Sequence, residues 1–180
     1  MKNKAKYACI DVLKSVGEPV IIVAVTQEIE AIINACKDNK IEIAALCDNE
    51  TRKTVQKVNG LEVIHTPQLI KRFPKARLII AYQNVQECVD QLSSMGYEKF
   101  YSPLELLETY DVSKHQHKLP EGYMKNKVSL CIESHQAYFD ENTIHLRSLD
   151  LVITTKCSMK CESCCNLMQY FVAPKNTDDQ

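Results

Sequence analysis

A doubly wound α/β domain built on a parallel sheet is predicted for residues 1–109, and three observations predict it. Apolar runs of strand length recur at 20–25, 41–47 and 76–82. Stretches with apolar residues at helical spacing lie between them. Turn and cap residues punctuate the boundaries. Buried strands alternating with helices of this length form right-handed βαβ units around a parallel sheet.

The elements follow in order. Ala5, Ala8, Cys9, Val12, Leu13 and Val16 repeat at helical spacing, so a helix is predicted over 4–16, ended by Gly17 with Pro19 beyond it. The strand at 20–25 leads into a helix at 27–37, and the strand at 41–47 closes on Asp48-Asn49. Residues 50–57 are polar and weakly helical. Asn59-Gly60 signals a turn before an extended piece at 61–64. Thr66 is the expected N-cap of a short helix to Phe73, with Pro67 in its first turn. The strand at 76–82 is followed by a helix at 85–95 that Gly96 closes. A last strand at 99–101 and a helix from Ser102-Pro103 to about Glu108 complete the domain.

Beyond it the composition shifts. Residues 110–127 show no apolar period and read as a linker, with His115 and His117 expected to be solvated rather than metal ligands. Residues 128–180 begin strand-rich: an extended piece at 128–132, a hairpin of 137–139 and 143–146 around Asp140-Glu141-Asn142, and a strand at 149–154.

The apolar share of 45% and charged share of 25% are those of a soluble globular chain. A net charge of −1 is too weak a field to hold nucleic acid or an anionic membrane. No window has the length of a spanning helix, and Asp11, Lys14 and Glu18 interrupt any export core. A cytoplasmic location is expected.

Nine cysteines are an odd count without an export signal, which argues against a disulfide framework. Cys9, Cys36, Cys47, Cys88 and Cys131 are dispersed in apolar or helical contexts and read as small packing residues. Four more crowd into 157–165. There the strand at 149–154 runs into a polar loop with Cys157, Cys161 and Cys164 spaced CxxxCxxC, and an apolar helix follows. Such a loop wraps three thiolates around three corners of one cubane. Since a 4Fe–4S cluster normally takes four cysteines, one iron is left open. Zinc is the alternative, and it needs a fourth ligand such as Cys131, His145 or Cys165.

This strand–loop–helix resembles the first βα unit of the radical S-adenosylmethionine superfamily. The resemblance implies that Cys157, Cys161 and Cys164 ligate a 4Fe–4S cluster whose open iron is chelated by S-adenosylmethionine. It implies a reducing electron donor, cleavage of the sulfonium to a 5′-deoxyadenosyl radical, and hydrogen abstraction from a small-molecule or saccharide substrate. Ser163 stands where the family usually has an aromatic residue beside the adenine, so a backbone contact is what remains implied there. Cys165 lies outside the motif. The family's barrel has several further βα units, expected beyond this sequence or on another chain. The barrel is therefore incomplete here, and the polypeptide alone is expected to be inactive.

Residues 1–109 in turn resemble Rossmann-like modules of sugar-modifying enzymes in polysaccharide pathways, through Cys47-Asp48-Asn49 and Asn59-Gly60-Leu61-Glu62-Val63. Asp48 is the candidate cofactor-binding acid after the second strand. The loop Ala24-Val25-Thr26-Gln27-Glu28-Ile29-Glu30 has no glycine, and Glu28 and Glu30 would repel a pyrophosphate at the helix N-terminus. A docking or scaffold role is therefore the expectation. The competing function for the whole chain is a nucleotide- or sugar-nucleotide-binding or regulatory module with a small zinc site.

Overall fold

The computed structural model describes residues 5–7, 9–15, 17–50, 52–55 and 57–140. They belong to one unit, Met1–Thr143; a second, Ile144–Gln180, lies outside the described residues. So do the predicted strands at 143–146 and 149–154 and the whole cysteine cluster.

In chain order the elements are β1 (Ala5–Lys6), α1 (Ile10–Lys14), β2 (Val20–Val23), α2 (Ile29–Asp38) and β3 (Ile43–Asp48). A 3-10 turn (Lys53–Val55), β4 (Lys57–Val58), β5 (Leu61–His65), α3 (Thr66–Arg72) and β6 (Arg77–Ile80) follow. The unit closes with α4 (Val85–Ser94), β7 (Phe100–Tyr101), α5 (Leu104–Glu108), a 3-10 turn (Val112–Lys114) and α6 (Glu121–Phe139). The strands form one seven-stranded sheet in the order β1-β7-β6-β2-β3-β5-β4, parallel except where β4 meets β5.

β2 and β6 lie side by side at the centre, Val20 opposite Arg77 and Val23 opposite Ile80, and every residue of both is buried. A parallel strand covered on both faces needs a continuous apolar run, which Val20 to Val23 and Leu78 to Ile80 supply. Alternate side chains divide between two cores. Val20, Ile22, Leu46, Val63 and Ile79 pack under α1, α2, α5 and α6. Ile21, Val23, Cys47, Ile64, Leu78 and Ile80 pack under α3 and α4. The fold is therefore α/β with helices on both faces of a mostly parallel sheet.

Local signals account for the boundaries. Asn59 (φ 50°) and Gly60 (φ 83°) both take positive φ, as a two-residue hairpin turn between twisted strands requires. Gly96 (φ 93°) ends α4, and the Tyr97 N–H donates back to the Leu92 carbonyl at 3.2 Å.

Several expectations are corrected. The helix predicted over 4–16 is a strand followed by a helix of one and a half turns. β1 pairs in parallel with β7, Ala5 opposite Phe100, so the sheet edge claims residues whose local period is helical. Thr66 is not an N-cap. It opens α3 buried, its hydroxyl 3.4 Å from Cys47 Sγ, and His65 occupies the cap position. The extended piece at 128–132 and the first hairpin arm at 137–139 are both part of α6. Met124, Val128, Cys131 and His135 are buried along it at spacings of three and four, while Leu130 is exposed. The alternation of Val128, Leu130 and Ile132 imitated a strand. The segment 110–127 is packed rather than free: Val112 and Met124 are buried in the core under α2, with Tyr110 and Leu119 against it. Among the described residues no helix is long and apolar enough to cross a membrane.

Candidate functional site

From β2 the chain passes to β3 and β5 on one side and to β6 and β7 on the other. The reversal opens a crevice beyond the carboxyl ends of β2 and β6, the place where doubly wound sheets bind ligands. A cleft of about 560 Å³ occupies it. Val23, Ala24, Val25, Cys88 and Leu92 line it with apolar surface, and Asp48, Asn49, Glu50, Lys53, Tyr82, Glu87 and Gln91 bring the polar groups.

Asp48 lies where the sequence places it, after β3 and within this cleft. Its carboxylate is nearly buried and engaged by the protein: Oδ2 accepts the Val25 N–H at 2.7 Å and Lys53 Nζ at 3.2 Å, and Oδ1 accepts the Glu50 N–H at 2.8 Å. Lys53 Nζ also donates to the Val25 carbonyl at 3.1 Å and pairs with Glu50 at 3.3 Å. Asp48 thus ties the loop after β2 to the loop after β3. Two carboxylates around Lys53 hold its ammonium pKa above the usual lysine range, against the effect of burial.

The loop after β2 contains no glycine, yet Ala24 adopts φ 73°, the left-handed conformation a glycine would take freely. The Ala24 N–H donates to the Cys47 carbonyl at 2.8 Å, which holds it there. Neither this strain nor the cleft's Tyr82 and Gln91 carried a sequence signal. Their meeting depends on which strands are neighbours.

Glu28 and Glu30, expected at the mouth of α2, are both buried. Glu30 accepts the Lys118 N–H at 3.0 Å. Among the described residues Glu28 Oε1 has no hydrogen-bond partner, and burial pushes this carboxyl's pKa up, partly offset by its own backbone N–H and the Lys127 charge. A carboxyl raised on folding adds most stability below its unfolded pKa, and that contribution is lost as pH rises through the folded pKa. Glu28→Gln is therefore expected to raise stability at pH 7.5 by on the order of 1 kcal/mol, with the gain shrinking toward pH 4. Thermal melts of both proteins across that range check it. A gain equal at both ends would point to packing instead.

His115 and His117, expected to be solvated, are held by the fold. His115 Nε2 lies 2.9 Å from Asp38 Oδ2 and its ring stacks on Tyr110, whose hydroxyl lies 3.2 Å from His117 Nε2. Among the described residues no three histidine, cysteine or acidic side chains are grouped to hold a metal.

Cys9, Cys36, Cys47, Cys88 and Cys131 are all free and buried, as packing residues should be. Burial pushes the thiols of Cys9, Cys36 and Cys88 up to about 12 and that of Cys47 to about 11, and raises Cys131 as well. Burial thus disfavours the thiolate, the nucleophilic form, in all five. Cys157, Cys161, Ser163 and Cys164 lie outside the described residues. No family model, no curated protein and no solved structure matches the chain.

Proposed function

We propose that the chain is the N-terminal part of a radical S-adenosylmethionine iron–sulfur enzyme, with a Rossmann-like α/β domain ahead of the cluster-binding unit. The CxxxCxxC run of Cys157, Cys161 and Cys164 carries this proposal. The donor set fits the group: three soft thiolate donors at CxxxCxxC spacing suit iron–sulfur ligation and leave one iron position for another ligand. The other cysteines support it by contrast, since the five in the α/β unit are buried, where the thiolate is disfavoured. Cys131, one candidate fourth ligand for zinc, is fully buried in that core.

When bound, the cluster would supply the electron that reductively cleaves S-adenosylmethionine, drawn from a reducing donor. Cys157, Cys161 and Cys164 would hold it, and the Ser163 backbone would sit beside the adenine. The substrate is a small molecule or saccharide on this proposal. Free buried thiols fit a reducing compartment, which favours the cytoplasm.

Anaerobic reconstitution with iron and sulfide, followed by metal analysis, is the test. About four irons per chain with broad visible absorbance are expected. A variant with Cys157, Cys161 and Cys164 replaced by alanine should retain essentially none. Stoichiometric zinc in freshly isolated protein, with no cluster formed, would overturn the proposal. It would favour the second reading, a Rossmann-like binding or regulatory module with a zinc site. That reading draws its support from the cleft at the carboxyl ends of β2, β3 and β6.

A further inference from the structure

The cleft in the α/β unit is built for a ligand quite unlike a pyrophosphate. Three carboxylates, Asp48, Glu50 and Glu87, face it against one ammonium, Lys53. Lys53, the one cation among the described residues that line it, is already committed to the Val25 carbonyl, Asp48 and Glu50. The N-terminus of α2, where a phosphate would otherwise sit, carries two carboxyl side chains in Glu28 and Glu30. Its approach loop holds Ala24 where a close backbone contact to phosphate calls for glycine.

The same cleft suits a flat uncharged ring bearing hydroxyls. Its floor of Val23, Val25, Cys88 and Leu92 is apolar, and Tyr82 lines the cleft with its side chain substantially exposed, as a stacking surface would be. Glu87 is exposed, and among the described residues its Oε2 accepts from Asn84 Nδ2 at 2.8 Å while its Oε1 has no partner. A carboxylate oxygen accepts from hydroxyl groups and repels phosphate oxygens, which have no proton to give at neutral pH. At about 560 Å³ the space is that of a small-molecule site.

We propose that this cleft binds an unphosphorylated nucleoside, its base against Tyr82 and the apolar floor and its ribose hydroxyls donating to Glu87. All the residues that line this cleft belong to the α/β unit.

Calorimetric titration of the full chain with adenosine, guanosine, cytidine and uridine, each against its 5′-monophosphate, tests the proposal. At least one nucleoside should bind, and its monophosphate should bind roughly tenfold more weakly or worse. Tyr82→Ala should weaken nucleoside binding roughly tenfold, and Glu87→Lys should narrow or reverse the preference against the monophosphate. Both side chains are exposed, and unchanged circular dichroism and melting would confirm that the variants are folded. Binding should survive replacement of Cys157, Cys161 and Cys164 by alanine, which separates this cleft from any adenosyl site at a cluster. Monophosphates binding as tightly as nucleosides, glucose binding in their place, or no nucleoside binding at millimolar concentration would each overturn it.

Discussion

Asp48→Ala is expected to destabilise the α/β unit by about 3 kcal/mol and to loosen the cleft. The carboxylate satisfies the Val25 and Glu50 N–H groups at 2.7 and 2.8 Å and neutralises Lys53 at 3.2 Å. Alanine would leave two backbone donors without their acceptor and an ammonium facing fewer acceptors. Asp48→Asn discriminates, because a carboxamide offers one acceptor oxygen and must turn its NH₂ toward either the Val25 N–H or the Glu50 N–H. It should recover part of the loss and no more. Urea denaturation measures both variants. A loss below about 0.5 kcal/mol for the alanine variant would mean that water replaces the carboxylate at little cost.

Arg77→Met is expected to be of similar size, again about 3 kcal/mol, but its effect should fall on a different region. The Arg77 side chain is 6% exposed at the start of β6. Its guanidinium donates to the carbonyls of Val12, Ser15 and Glu18 and to the Ser15 hydroxyl. One residue thereby satisfies the carbonyls that end α1 and lead into β2. Methionine keeps most of the apolar stem and removes every donor. Hydrogen exchange should accelerate first in α1 and the loop before β2, with β2 and β6 protected until global unfolding. Uniform acceleration across the sheet would show that the guanidinium serves the whole core.

The contrast between β2 and α6 shows where the sequence was legible. Val20 to Val23 and Arg77 to Ile80 are central in the sheet, and burial on both faces demands the apolar runs that mark them, Val20 to Val23 and Leu78 to Ile80. Asn59-Gly60 and Gly96 announce their turns because their backbone angles are ones few residues tolerate. In α6, by contrast, polar residues such as Lys125, Lys127 and Ser129 interrupt the helical stripe. Only the burial of Met124, Val128 and Cys131 against the core reveals its period. At the N-terminus the helical spacing around Ala5 was real, but pairing with β7 nearly a hundred residues away decided the outcome. The candidate cleft was half legible. Asp48 stood out as an acid after the second strand, whereas Tyr82, Glu87 and Gln91 join it through strand order, which no local pattern encodes.

The amino-acid sequence alone determined the α/β class, most helix and strand positions, the packing role of five dispersed cysteines, and the CxxxCxxC spacing on which the iron–sulfur proposal stands. These are short-range properties: burial on one or two faces and the reach of a few residues of chain. Tertiary structure alone decided that Asp48 clamps two loops, that Arg77 holds a segment 59 to 65 residues before it, and that three carboxylates converge on one cleft. Each depends on partners brought together by strand order, and hydrogen-bond and Coulomb energies act over ångströms of space however far apart the residues stand in the chain.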